Sequence, residues 1–590
     1  MLFKRLSEYL EKLEKTPSRL EMTNILSKLL KETAVDETEY VVNLSLGQLA
    51  PGYKQVVFNI AEKMMLSAIA KGYGVEKILV AKRYKKLGDL GEVAESFSKS
   101  KGKSKLDVSE VFGELMKIAE DSGEGSVERK VEGVAKLLSG LDSRSARFLA
   151  RIPVGKLRLG FSDKTIIDAL SWMETGGKGE SKRIEEAYNV IPDVGILAKN
   201  IKKSGIDKAV ENVDPELGVP LLPMLAQRLK SPAEMIEKMG KVHVEPKFDG
   251  LRIQIHFKVG KSHPGLVSGS QILKPVQNDK ISGGFIKAFT RNLNETSWMF
   301  PELSGAGEQI EADEVILDTE AIGVDEERKT LANFQSTMTR RRKHDIESIA
   351  SKVKIRFYVF DIMYKNGKSL IHLPYTKRRE ILAETIKGKG VLEVVDYVST
   401  DNPEKINELM RLELKEGMEG IIVKRADSDY IAGRTGWRWV KMKEEEGQKA
   451  KLADSVDCVV MGYIKGRGKR TAFGIGGFLA GIVDGEVVKT LTKVGTGLTD
   501  EQFRELAARL KRLEVGEKPK EYGEVSKTLI PDVWVTPSLV VELAADEITK
   551  SPIHSAGYAL RFPRLVKFRD DKGWRDATTL KEVKKLFKLQ

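Results

Sequence analysis

Residues 241–256 read KVHVEPKFDGLRIQIH, with apolar and polar side chains alternating on both sides of the Lys-Phe-Asp-Gly step at 247–250. A period of two predicts two strands joined, hairpin fashion, by a tight bend. Lys247, Asp249 and Arg252 then crowd one turn, where Asn-Gly would be enough to reverse the chain. A solvated lysine is the plain reading. A lysine kept for its chemistry is the other, and the rest of the chain has to choose between them.

The chain has 590 residues, too many for one hydrophobic core, so two to four domains are expected. No apolar run approaches the roughly 20 residues needed to span a bilayer. The opening MLFKRLSEYLEKLEK is amphipathic and carries acids throughout, unlike a signal or transit peptide. A single cysteine, Cys458, excludes a disulfide framework and a Cys-based zinc site, and suits a reducing cytoplasm. The net charge of +13 favours a polyanionic partner such as nucleic acid, although a basic soluble surface explains it as well.

Residues 1–210 read as helical. Apolar residues recur every three or four positions in FKRLSEYLEKLEK, TNILSKLLKE and VERKVEGVAKLLSGL, with SKSKGKSK at 98–105 as a loop. Two stretches, AKRYKKLGDLGEVAE (81–95) and ARIPVGKLRLGFS (150–162), put basic residues at helix ends, where phosphates bind but where solvated faces also occur. Prolines in NVDPELGVPLLPML (212–225) suggest a linker. From 241 to about 443 short strands dominate, with a helix at PEKINELMRLELKEG; EEEGQKAKLAD (444–454) reads as a hinge. The glycine- and turn-rich stretch beyond it has the signature of a small antiparallel barrel. No internal repeat is present. The plan is helical, then mixed α/β, then all-β.

A nucleophilic lysine needs neighbouring cations or desolvation to be partly deprotonated near neutral pH. The middle region supplies cations at Lys424 and Arg425 and in WRWVKMK (437–443). On a strand Lys441 and Lys443 share a face, an arrangement that a phosphate between them would satisfy. Glu320 in ILDTEAIGV and Glu419 in GMEGIIVKR are carboxylates suited to Mg2+ with its waters. Phe360, in IRFYVFDIMY, suits either base stacking or plain core packing.

KFDGLR resembles the KxDGxR motif of covalent nucleotidyltransferases, and further motifs follow in order. These are FTRNLNETSWMFPEL with Arg291, DTEAIG with Glu320, FYVFDIMY with Phe360, EGMEGIIVKR with Glu419 and Lys424, and WRWVKMK with Lys441 and Lys443. The ending LRFPRLVKFRDDKGWRDATT carries Arg569, Asp571 and Lys572 in an RxDK pattern. Together they resemble a replicative-type ATP-dependent DNA ligase of the archaeal and eukaryotic kind, over nearly the whole chain.

The resemblance implies a multidomain protein: an all-α DNA-binding domain (1–213), an α+β adenylation domain (214–446) and an all-β OB-fold domain (447–590). It implies that Lys247 takes AMP from ATP, passes it to the 5′-phosphate of a nick, and that a 3′-hydroxyl then closes the strand. Glu245 would read the adenine edge and Phe360 would stack on the ring. Arg252 and Arg291 would contact ribose and phosphate, or the 5′-phosphate of the nick. Glu320 would bind the ribose or orient metal, and Glu419 would hold Mg2+ (or Mn2+). Lys424 joins the nucleotide contacts, Lys441 and Lys443 would neutralise the α-phosphate, and Arg569 and Lys572 would orient pyrophosphate. The implied partner is nicked duplex DNA met by a monomer, with a sliding clamp as a further partner, in DNA replication, repair and recombination.

Two departures stand out. The link 259–284 is longer than the family spacing, and AGRTGWRWVK leaves either Arg434 or Arg438 to supply the arginine before the fifth motif. A capping-type guanylyltransferase shares KxDGxR but leaves the helical 200 residues and the RDDK ending unexplained. One cysteine cannot build the zinc finger of an NAD-dependent ligase. A non-catalytic DNA-binding scaffold needs none of Lys247, Glu320, Glu419, Lys441 and Lys443 together.

Overall fold

The computed structural model describes all residues except 99–104, 158, 230, 261–283, 326–329, 332–353, 434–435, 444–454, 467–469, 471–472, 496–497 and 590. The proposed hinge at 444–454, most of the long link at 259–284 and Arg434 therefore lie outside the described residues. The chain divides into two compact units, Met1–Met442 and Lys443–Gln590. Among the described residues, no helix is long and apolar enough to cross a membrane.

In the first unit, the N-terminal 210 residues are helical, and the three periodic stretches fall in helices Phe3–Lys15, Arg19–Glu32 and Ser126–Ser139. Phe3, Leu6, Leu10 and Leu13, at three- and four-residue spacing, are fully buried in one shared core. The first of the two basic stretches keeps Lys82, Arg83, Lys85 and Lys86 exposed around the Lys77–Leu87 helix. The second does not fit phosphate binding equally well. Arg151 is turned inward and paired with Asp89 and Glu14, and Lys156 is paired with Glu62.

The middle region is built on two sheets. Strands β1 (Val242–Pro246), β9 (Val398–Thr400), β10 (Gly420–Arg425) and β11 (Trp439–Lys443) form a four-stranded sheet in the order β11-β10-β1-β9. A larger sheet contains β2 (Leu251–Lys258), β3 (Phe285–Thr290), β4 (Glu314–Asp325) and β6 (Lys354–Lys365) in the order β3-β2-β4-β6, with shorter strands added at β4 and β6.

The expected hairpin is therefore wrong. β1 pairs with β10 and β9 on its two edges, and β2 with β3 and β4, so the Lys-Phe-Asp-Gly step carries the chain from one sheet to the other. Alternation reports which faces are buried but not which strand is the neighbour. The step is pinned at the start of β10: the Lys247 N–H donates to the Gly420 carbonyl (2.9 Å) and the Glu419 N–H to the Lys247 carbonyl (3.0 Å). Gly250 is needed because a Cβ there would sit 2.7 Å from the Ala321 carbonyl oxygen.

The stretch 212–225 is no free linker either. Leu221 exchanges two hydrogen bonds with the Gln254 side chain, Gly218 N–H donates to His256 Nδ1 and Met224 N–H to the Tyr430 hydroxyl. Prolines prevent a helix, yet they leave an extended strap free to bond to a sheet.

The second unit holds antiparallel strands in the order β14 (Val487–Val494), β13 (Ile475–Asp484), β12 (Val456–Lys465), β16 (Val533–Val535), β15 (Glu514–Val515). Val540–Ala544 pairs with both β12 and Arg564–Phe568. The antiparallel strands make the expected β domain, and helices Asp500–Lys511 and Leu580–Leu589 pack apolar faces on its core.

Candidate active site

Lys247 is half-buried at the crossing between the sheets. Its Nζ lies 2.5 Å from the Glu419 carboxylate and 3.3 Å from the Phe248 carbonyl oxygen. Phe248 stacks on Tyr358 (ring centroids 4.5 Å apart), which fixes the crossing against β6. On the larger sheet Arg252 and Glu320 are direct cross-strand partners, and Asp318 lies two residues away on the same face of β4. The Arg252 guanidinium grips Asp318 through Nε (3.0 Å) and Nη2 (2.6 Å) and donates Nη1 to the Met224 carbonyl of the strap.

Glu320 is the carboxyl most altered by its surroundings. Burial pushes its pKa up to about 7, with Asp318 and Asp249 adding to the rise and Lys247 and Arg252 opposing it. A carboxyl poised there can take or release a proton at neutral pH.

Phe360 owes its position to a bulge. Asp361 faces Asp318 and Val359 faces Thr319, so Phe360 is the extra residue on β6. The ring, half-buried, meets Trp439 edge-on at 5.9 Å and has the Lys424 ammonium 4.5 Å from its centroid. Lys424 is itself buried. It pairs with Glu245 (2.6 Å), donates to the Tyr375 hydroxyl (2.9 Å) and lies 4.4 Å from the Trp439 ring centroid. Burial lowers its pKa while Glu245 holds it up. Tyr375 donates to Glu245 in turn, and burial next to that carboxylate pushes the phenol pKa far up.

The fold thus gathers Lys247, Glu419, Arg252, Glu320, Phe360, Lys424 and Glu245 around the two sheets, with Lys441 and Lys443 half-buried at the end of β11. Arg291 is exposed just past β3, and Arg438 is turned to Asp429 (2.7 Å). Arg569 and Lys572 belong to the second unit, where both pair with Asp457 (3.0 and 2.6 Å). Sequence reading missed Asp318, Tyr375, Trp439 and Tyr430. Asp318 was visible in ILDTE, two positions before Glu320 on the same strand face. Tyr375 sits in a helix far along the chain, and no spacing pointed to it.

The Lys247 ammonium meets oxygens of the Glu419 carboxylate and the Phe248 carbonyl, and two carboxylates suit a hard divalent cation that keeps most of its waters and shares a phosphate. Among the described residues, no group of three or more metal-ligating side chains occurs. Glu320 and Glu419 therefore fit a shared site of that kind, not a closed all-protein cage.

Comparison with known proteins bears directly on this site. A family described as "ATP dependent DNA ligase domain" matches residues 223–264 and 275–443. "DNA ligase N terminus" matches 2–171, and "ATP dependent DNA ligase C terminal region" matches 471–572. A "Probable DNA ligase" of Dictyoglomus turgidum is 39% identical over 601 residues, covering 100% of this chain and 98% of the relative. A "DNA ligase" of Aeropyrum pernix is 34% identical, with coverage of 100% and 98%. A "DNA ligase 1" of Methanosarcina mazei is also 34% identical, with 99% of each chain covered. The solved structure described as Pmar-Lig_PreS3 shares the fold with a TM-score of 0.52 at 18% identity, over 96% of this chain and 99% of that one.

Proposed function

The chain belongs to the ATP-dependent DNA ligases, and from that premise we propose that it seals nicks in duplex DNA with Lys247 as the AMP-carrying residue. The observation that carries the assignment of the nucleophile is the Lys247 ammonium, held at a sheet-to-sheet crossing 2.5 Å from Glu419 and in the field of Glu320. Lys247 must lose a proton before it attacks, and Glu419 and Glu320 are the acceptors at hand.

The deprotonated Nζ then attacks the α-phosphorus of ATP; a P–N bond forms and the P–O bond to pyrophosphate breaks. The AMP moves to the 5′-phosphate of the nick, returning the amine. Attack by the 3′-hydroxyl on that phosphate joins the strand and expels AMP. Arg252 keeps two N–H groups beyond those given to Asp318 and Met224, and these are available to a phosphate oxygen. Lys441 and Lys443 add positive charge as negative charge develops at the α-phosphate. Mg2+, held by Glu320 and Glu419, would supply charge neutralisation on the phosphates. Arg569 and Lys572 orient the leaving pyrophosphate.

The division into a DNA-binding domain (1–213), adenylation domain (214–446) and OB-fold domain (447–590) is part of the same proposal. The exposed Lys82, Arg83, Lys85 and Lys86 suit phosphate-backbone binding without base reading, as a sequence-indifferent enzyme requires. A monomer in the cytoplasm, with a sliding clamp as an additional partner, completes it.

Incubated with α-labelled ATP and Mg2+, the parent protein is expected to become covalently labelled and Lys247→Ala to stay unlabelled. Equal labelling of the two would remove Lys247 from its role.

A further inference from the structure

Glu245, Lys424 and Tyr375 form a closed hydrogen-bond ring whose proton count fixes the character of the carboxylate. Tyr375 has one proton, and burial next to an anion keeps it on the phenol. Its oxygen accepts from Lys424 (2.9 Å), so the proton is free to go either to Glu245 Oε1 or to the Phe360 carbonyl, 3.0 Å away. The charged acceptor is the stronger of the two. Lys424 spends its three protons on Glu245 Oε2 (2.6 Å), Tyr375 Oη and the Phe360 carbonyl (3.4 Å). Lys424 therefore has no donor left for a nucleotide. Each Glu245 oxygen is held by one donor, from Tyr375 on Oε1 and from Lys424 on Oε2, and the remaining lone pairs can accept from a ligand.

Resting on the ligase reading above, we propose that Tyr375, with Lys424, is a positioning residue that sets base choice by holding Glu245 as a fixed acceptor. The ring is tied to the Phe360 backbone through its carbonyl, beside the aromatic face on which a base would stack. A purine carrying an amino group at position 6 supplies the donor that this acceptor needs. A purine lacking it leaves one acceptor position of that carboxylate unfilled, which costs one charge-assisted hydrogen bond. Tyr375→Phe frees Oε1 to rotate and strands one Lys424 proton, so the carboxylate loses its fixed aim.

The test compares ATP with purine riboside triphosphate, which lacks the 6-amino group, on the full chain with Mg2+. Intact-protein mass reads the adduct formed from each. The parent is expected to favour ATP by about tenfold in kcat/KM, the effect of one such bond. Tyr375→Phe is expected to narrow the ratio to within about threefold, chiefly through a raised KM for ATP. A parent that uses both nucleotides equally overturns the inference, as does a folded Tyr375→Phe protein that keeps the parent ratio. Should that variant fail to fold, 3-fluorotyrosine placed at 375 alone donates more strongly and should widen the ratio; an unchanged ratio counts against the proposal. A parent that forms no adduct on Lys247 from either nucleotide sinks the ligase reading, and this inference with it.

Discussion

Asp318 and Asp361 face each other on neighbouring strands, and each is gripped by its own arginine, yet the two pairs do different things. Arg378 and Asp361 are both fully buried. Arg378 gives Nε and Nη2 to Asp361 and both Nη1 protons to the Leu373 and Ser428 carbonyls, which leaves a single N–H. Arg252 gives three N–H groups to Asp318 and Met224, keeps two, and its side chain stays 16% exposed. Two like carboxylates side by side require two cations. One cation is spent sealing the core, and the other has donors left for a ligand. Residual donor capacity at a solvent-reachable edge, not the presence of the charge, separates a site from a staple.

The comparison breaks if both arginines behave alike. Arg378→Met should be the most damaging change: it strands a buried carboxylate, with an expected loss of about 3–5 kcal/mol in urea unfolding. If that loss came out near zero, the staple role would be gone.

Glu320 gives the next largest effect, and its sign is fixed by the direction of the shift. Its folded pKa of about 7 lies above the ordinary 4.5, so the folded protein holds the proton more tightly. The stability this provides is complete below pH 4.5 and is lost as pH rises through 7. Glu320→Gln should therefore be more stable than the parent at pH 8.5, by about 1–2 kcal/mol after allowance for solvent screening. The difference should vanish near pH 4.5. Denaturation curves at the two pH values check it, and a gap that grows toward low pH would reverse the assignment.

Arg252→Lys sharpens the contrast at the smallest cost to the fold. Charge is kept and the fork is lost, so stability should fall by about 1 kcal/mol while covalent labelling by ATP slows by about tenfold or more. A large stability loss with unchanged labelling would make Arg252 a second staple.

Much of this site is legible in the amino-acid sequence. The order of Lys247, Glu320, Phe360, Glu419, Lys441 and Lys443 along the chain resembles that of nucleotidyltransferases, and the fold sets Glu419 against Lys247 and Glu320 in its field. What sequence cannot supply is the pairing of strands. KVHVEPKFDGLRIQIH has the alternation of a hairpin, and nothing in a period of two says that both edges of both strands are already taken. The bulge that presents Phe360 is invisible for the same reason, since it exists only relative to β4. Tyr375 is beyond reach because a tyrosine near the start of a helix looks like core until its hydroxyl is seen between Lys424 and Glu245.

The strap at 212–225 has a consequence for anyone who would treat this enzyme as interchangeable parts. Composition marks it as the place to cut, but its backbone and side-chain bonds run into Gln254, His256 and Tyr430, the last of which also holds Asp318. A chimera joined downstream of the strap, near residue 227, would bring a foreign strap to the very carboxylate that aims Arg252. Exchanging the N-terminal helices between relatives while keeping the site intact therefore means placing the junction upstream of the strap, so that residues 214–227 travel with the sheets they are bonded to.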